Sequence, residues 1–165
     1  MLAVCLGVPG RAVAQSGASV SADAVVVTVG MTIATLRDLN FGTVIKSVPT
    51  TVLPTVAAAG EWQVTGSSNA NVIISFTLPT QLTNIQALPG STMPISFSAV
   101  SAIWRRATNN PVGGTIFNPA TGAVGRLGPP PNPSMYVWVG GTVNPAATAK
   151  PGIYQGSVIV SLVYQ

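Results

Sequence analysis

The stretch 151–165, PGIYQGSVIVSLVYQ, decides how the chain is read. Tyr154, Val158, Val160, Leu162 and Tyr164 share one parity, with Gly156 among them, while Gln155, Ser157, Ser161 and Gln165 share the other. A period of two places the first set on one face of a β-strand and the second set on the opposite face. Pro151-Gly152 supplies the turn that starts the strand, since proline holds φ and glycine adopts conformations closed to other residues. An apolar strand that runs to the final residue is expected to have its edge covered, because bare edges invite aggregation and unpinned ends fray. The functional question is what covers it.

Working outward, the same alternation recurs along the chain. In residues 18–34, ASVSADAVVVTVGMTIA, the apolar parity changes near residues 23–26, as a bulged strand or one with two partners would show. Residues 39–45, LNFGTVI, predict a strand with Leu39, Phe41 and Ile45 inward and a bulge at Gly42. Residues 50–58 form a β-branched run broken by Pro54, and residues 61–65 alternate around Trp62 and Val64. Val72, Ile74, Phe76 and Leu78 make the clearest internal strand. Residues 80–91 read as a connection, and Met93, Ile95, Phe97 and Ala99 begin a strand that extends toward Ile103 and Trp104.

Residues 107–133, rich in Asn, Gly and Pro, read as a surface excursion with a small hairpin joining residues 115–117 to Ala123-Val124. Met135, Val137 and Val139 mark a central strand whose other face carries Tyr136 and Trp138, and Gly140-Gly141 open a loop. The sum is an all-β chain: an immunoglobulin-like antiparallel β-sandwich of about eight to ten strands with an N-terminal strand extension.

Composition narrows the chemistry. The chain has 165 residues, enough for one domain with a real core, with 17 glycines, 14 prolines, three acids and no histidine. Hydrolytic catalysis needs a histidine base, a carboxylate pair, a reactive thiolate or a metal. Asp23, Asp38 and Glu61 each read as a solvated strand-end residue, with Arg37-Asp38 as local turn electrostatics. No enzyme activity, cofactor or metal is expected. The net charge of +4 is spread over scattered residues rather than one face, so nucleic acid is not an expected partner.

Trp104-Arg105-Arg106 is the one polar-aromatic concentration. It offers a ligand-contact patch through stacking or cation–π contacts. The plainer reading makes it a core-closing tryptophan with basic neighbours at the rim.

Residues 1–14 read as the remnant of a secretion signal: residues 2–8 are an apolar run and Ala12-Val13-Ala14 fits an A-x-A cleavage site. A chain cleaved there would lose Cys5 and with it any disulfide or thiolate metal site. No run is long enough to span a bilayer as a helix. The expected organisation is therefore a signal remnant at 1–14, an extension at 15–34 and a sandwich domain at 35–165, exported through a periplasm to the cell surface or beyond.

Strand-rich segments near both ends suggest a sheet completed by a strand from elsewhere. In donor-strand complementation an extended segment of one subunit fills a gap in the next, and a head-to-tail contact of that kind propagates a fibre. Gly152 as the fourteenth residue from the end, the alternation after it and the penultimate Tyr164 resemble the terminal strand of chaperone–usher pilins. Together with LNFG at residues 39–42 and ASVSADAVVV at 18–27, they resemble more closely a family of small secreted bacterial β-sandwich proteins of unknown function, akin to spore-coat-U-like pilins.

The resemblance implies that Val20, Ala22, Ala24, Val25, Val26, Val27 and Val29 supply a donor strand. It implies that Tyr154, Val158, Val160, Leu162 and Tyr164 wall the acceptor groove, that other copies of the chain are head-to-tail partners, and that a periplasmic chaperone binds first. Two other readings stay open: a self-complemented monomeric surface or matrix protein in which residues 18–29 close their own sheet, and a carbohydrate-binding adhesive module using Trp104 and the 107–133 excursion.

Overall fold

A computed structural model of the protein describes residues 30–85 and 92–165. These residues form thirteen strands: β1 (Thr32–Arg37), β2 (Thr50–Val52), β3 (Gly60–Thr65), β4 (Asn71–Thr77), β5 (Gln81–Asn84), β6 (Thr92–Ser96), β7 (Ala102–Arg106), β8 (Thr115–Phe117), β9 (Ala123–Arg126), β10 (Ser134–Val139), β11 (Gly141–Val143), β12 (Tyr154–Gln155) and β13 (Ile159–Tyr164). They pair antiparallel in three sheets, ordered β1-β3-β10-β7-β8, β12-β5-β6-β11-β2 and β13-β4-β9. The all-β, antiparallel, sandwich-like expectation holds. The strand count exceeds the expected one because the runs at residues 93–104 and 154–164 are each cut in two and because β5 and β11 lie where connections were expected.

β10 is the centre. All six of its residues are buried between β3 and β7. Met135, Val137 and Val139 join Trp62, Val64, Val72, Ile74 and Phe117 in the main core, while Tyr136 and Trp138 stack on the opposite face beside Ile103. Gly140, read from sequence as a loop residue, is instead a pivot between sheets. A Cβ there would lie 2.1 Å from the carbonyl oxygen of Val52, so only glycine lets the chain leave β10 and enter β11 directly.

Other departures from the sequence reading have local causes. Residues 39–45 form no strand: the Asn40 side chain accepts a hydrogen bond from the Gly42 amide at 2.8 Å, and Gly42 sits at φ 64°. This asparagine turn overrides the alternation, yet Leu39 still packs on the main core and Phe41 on Met93, Ile95 and Val143. In the 50–58 run only β2 is extended. The 80–91 connection contains β5, and a turn held by Ser98 and Ser101 separates β6 from β7.

The hairpin expected around residues 118–122 is a crossover. β8 pairs with β7 and β9 with β4, in different sheets. Asn118 caps the turn between them, its side chain accepting from Ala120 and its carbonyl from Gly122. Phe117 and Leu127, on either side of that turn, are buried in the same core, so burial pulls the two short strands onto opposite layers. The 107–133 stretch is therefore not a surface excursion throughout.

Candidate functional site

The expected single terminal strand is two strands in two sheets. β12 pairs with β5, β13 pairs with β4, and residues 156–158 make the step between them. Gly156 permits that step, because a Cβ there would lie 2.7 Å from the Leu82 side chain. The parity survives the break: Tyr154, Val158, Val160, Leu162 and Tyr164 are all half-buried, and the last four pack on the main core. Tyr154 packs beside Met93, Ile95 and Val143, and its hydroxyl donates to the Lys150 carbonyl at 2.7 Å.

Among the described residues, β13 is the edge of its sheet and β1 the edge of the sheet opposite. The two run in opposite directions. β1 starts beside Thr65, whereas β13 ends opposite Val72, where the Ser67 amide donates to the Tyr164 hydroxyl at 2.9 Å. Cross-strand partners share a face, so Ile33, opposite Val64, faces the core. Val64 is 0% exposed and Ile33 43%. One strand in from the edge the core is closed, and at the edge Ile33 stays partly exposed, with no further strand beside it among the described residues. Beside this seam the 38–46 segment and residues 149–158 border a groove of about 1170 Å³. Trp62, Leu82, Met93 and Ile95 line its apolar part, and Asp38, Lys46 and Lys150 its polar part.

The residues named from sequence are distributed as follows. Val20, Ala22, Ala24, Val25, Val26, Val27 and Val29 lie outside the described residues. Trp104, Arg105 and Arg106 occupy consecutive positions of β7 and so alternate in direction. Trp104, opposite Val137, packs on the main core with its indole nitrogen buried and without a partner. Arg105, opposite Tyr136, donates to the carbonyls of Asn110 and Val112. Arg106 donates to the Leu127 carbonyl and to the Asn69 side chain. Both guanidinium groups thus bind the chain's own backbone.

Glu61 overturns its sequence reading. It is 2% exposed rather than solvated, and Arg37 turns away from a local role beside Asp38 to pair with Glu61 Oε2. Oε1 has no partner, nor has the indole nitrogen of Trp138, the residue directly opposite Glu61 on β10. The available signal was parity. Glu61 and Gln63 alternate with Trp62 and Val64, which places them on the face that carries Trp138 and Tyr136.

Among the described residues no three His, Cys, Asp or Glu side chains cluster as metal ligands, and no helix is long and apolar enough to cross a membrane. A family model described as Domain of unknown function (DUF4402) matches residues 31–164. The chain belongs to that family. The DUF4402 match begins at Met31, just before β1, and ends at Tyr164, the last residue of β13, so both walls of the open seam lie inside it. Comparison with curated proteins finds no match.

Proposed function

We propose that the chain is a structural subunit of a secreted or cell-surface fibre, each copy being completed by a strand that inserts between β1 and β13. The observation that carries this reading is the uncovered inner face of the two edge strands, where Ile33 and the row Val160, Leu162, Tyr164 stand against a core that is closed one strand further in. A strand placed there gains main-chain hydrogen bonds from both edges and buries every second side chain. Residues 18–29 supply alternating apolar side chains. Twelve extended residues at about 3.3 Å each reach about 40 Å, enough to run from Tyr154 to Tyr164. In the fibre reading that segment comes from a neighbouring copy, and the non-closing contact propagates.

A self-completed monomer is the second reading, favoured by one observation. Gly30 leads into β1 at the Tyr164 end of the seam, so a reversal at residues 29–31 would fold the preceding segment back beside β1, parallel to β13. The two readings separate on a denaturing gel of protein taken unheated from its native surface. The fibre reading expects a ladder of regular multiples that collapses on heating, and a lone monomer band with and without heating overturns it. In a Cys5→Ser background, Val20→Cys with Val158→Cys forms a cross-link within one chain if the segment folds back parallel to β13, because that fold brings the far end of the segment to the start of β13. A cross-link only between chains supports exchange.

A further inference from the structure

Among the described residues the two lysines stand apart from the arginines. Arg37 pairs with Glu61, Arg105 and Arg106 donate to backbone carbonyls, and Arg126 donates to the Asn69 carbonyl. The Lys46 and Lys150 side chains make no hydrogen bond or ion pair among the described residues, and both line the groove at the end of the seam away from Tyr164. The fold brings them there from distant parts of the chain. The Ser47 amide donates to the Pro145 carbonyl at 2.9 Å, and the Tyr154 hydroxyl holds the Lys150 carbonyl at 2.7 Å. Asp38 is the one acid among the described residues that line this groove, which leaves it one positive charge in excess. Of the three acids in the chain, Glu61 is taken by Arg37 and Asp38 is already counted, so Asp23 remains.

Asp23 belongs to residues 18–29, the segment proposed above to fill the seam. A reversal at residues 29–31 would set residue 28 opposite Thr32, Val27 opposite Ile33 and Val25 opposite Thr35, and on β3 Ile33 and Thr35 face the core residues Val64 and Trp62. Cross-strand partners share a face, so this register turns Val25, Val27 and Val29 inward, and Asp23 with them. The other face, with Ala22 and Ala24, offers less apolar surface to bury. Residues 23 to 29, at about 3.3 Å each, cover about 20 Å. That length carries Asp23 past Thr35 to the level where β1 ends at Arg37 and Asp38 begins the groove wall. A carboxylate entering an apolar seam without a partner is costly. Here the inward apolar row of the segment breaks where the seam gives way to a groove with an uncompensated positive charge. The flexible lysine stem lets an ammonium group reach inward from an exposed backbone.

We infer that Asp23 of the inserted strand pairs with Lys46 and Lys150 in this groove, and that the contact sets the strand's register and turns its odd-numbered face to the core. The inference rests on residues 18–29 filling the seam, from the same chain or from a neighbouring copy, and its test separates the two claims. Full-length wild type, Asp23→Lys, Lys46→Glu, Lys150→Glu and the combinations of Asp23→Lys with each lysine change are titrated with urea and followed by tryptophan fluorescence. Amide hydrogen exchange of residues 20–28 is measured in the wild type. The expected result is slow exchange of those amides and a midpoint lowered by about 0.5 M urea in Asp23→Lys. Most of that loss is recovered when Asp23→Lys is combined with Lys46→Glu or Lys150→Glu, since each combination exchanges the charges and keeps their sum. Losses that add in both combinations, with exchange slow in the wild type, overturn the ion pair and leave the filled seam standing. Fast exchange of residues 20–28 in the wild type overturns both.

Discussion

β10 and β13 are written in the same alternating code and meet opposite fates. SMYVWV is buried at every position, whereas IVSLVY is half-buried on one face and exposed on the other. The difference lies in neighbours. β10 has β3 and β7 on its two sides and packed side chains above and below, while among the described residues β13 has β4 alone. Alternation tells which way side chains point, and coverage tells what that direction is worth. A strand with inward apolar residues and one free side is an incomplete layer, and β1 repeats the condition across the seam with Ile33.

The comparison is broken most severely at its closed side. Val137→Asp places a charge without a partner in the main core, and the expected loss of about 5 kcal/mol or more is enough to unfold a domain of ordinary stability. Urea titration followed by tryptophan fluorescence reads it, and a folded variant with a normal midpoint would contradict the central role of β10. Val160→Asp makes the same change on the half-open side. There the carboxylate reaches water, so the expected loss in the isolated chain is about 1–3 kcal/mol, smaller than at Val137. Under the proposed strand exchange, its effect on the unheated ladder should be much larger than its effect on the fold. Equal losses at the two positions would mean that the seam is closed.

The ion pair at the edge gives an intermediate case. Arg37→Ala leaves Glu61 buried with neither oxygen partnered, but the Arg37 side chain is 44% exposed, so the pair is worth less than a fully buried one. The expected cost is about 1–2 kcal/mol, and Glu61→Gln in the same background should recover part of it, because the neutral side chain costs less to bury. A double-mutant cycle in urea tests this, and no recovery would count against the buried carboxylate as the source. Ser161→Asp, beside Val160 but facing outward, should change stability by less than about 0.5 kcal/mol. A loss there as large as at Val160 would refute the assignment of faces in β13.

Much of the fold was legible from these residues. The parities of β3, β4, β10 and the terminal stretch were read correctly because a strand's two faces depend only on the local period. The strand expected at residues 39–45 was lost to the Asn40 turn, a local signal outweighed by the apolar residues around it. The hairpin at residues 115–124 failed for a different reason. Turn chemistry marked the reversal correctly, but Phe117 and Leu127 chose their layers by burial in a core built from distant strands. Glu61 was misread because three scattered acids in a chain with little charge look solvated, and nothing adjacent in sequence announces that Trp138 will stand opposite.

For the candidate site, the inward row of the last strand was visible as Tyr154, Val158, Val160, Leu162 and Tyr164, but its opposite wall was not. Nothing in residues 31–37 says that Ile33 will face the same gap from the other sheet. Local pattern alone set the class of structure and the faces of the strongly alternating strands, because these follow from a period of two, from turn residues and from the absence of helical periodicity. What depended on tertiary structure was that a strand would follow Gly140 where a loop was expected, that the terminal run would divide at residues 156–158, that Arg37 would hold Glu61, and that β1 and β13 would be sheet edges among the described residues. Pairing and coverage join residues far apart in the chain, and their energies depend on which surfaces meet rather than on what any one segment prefers.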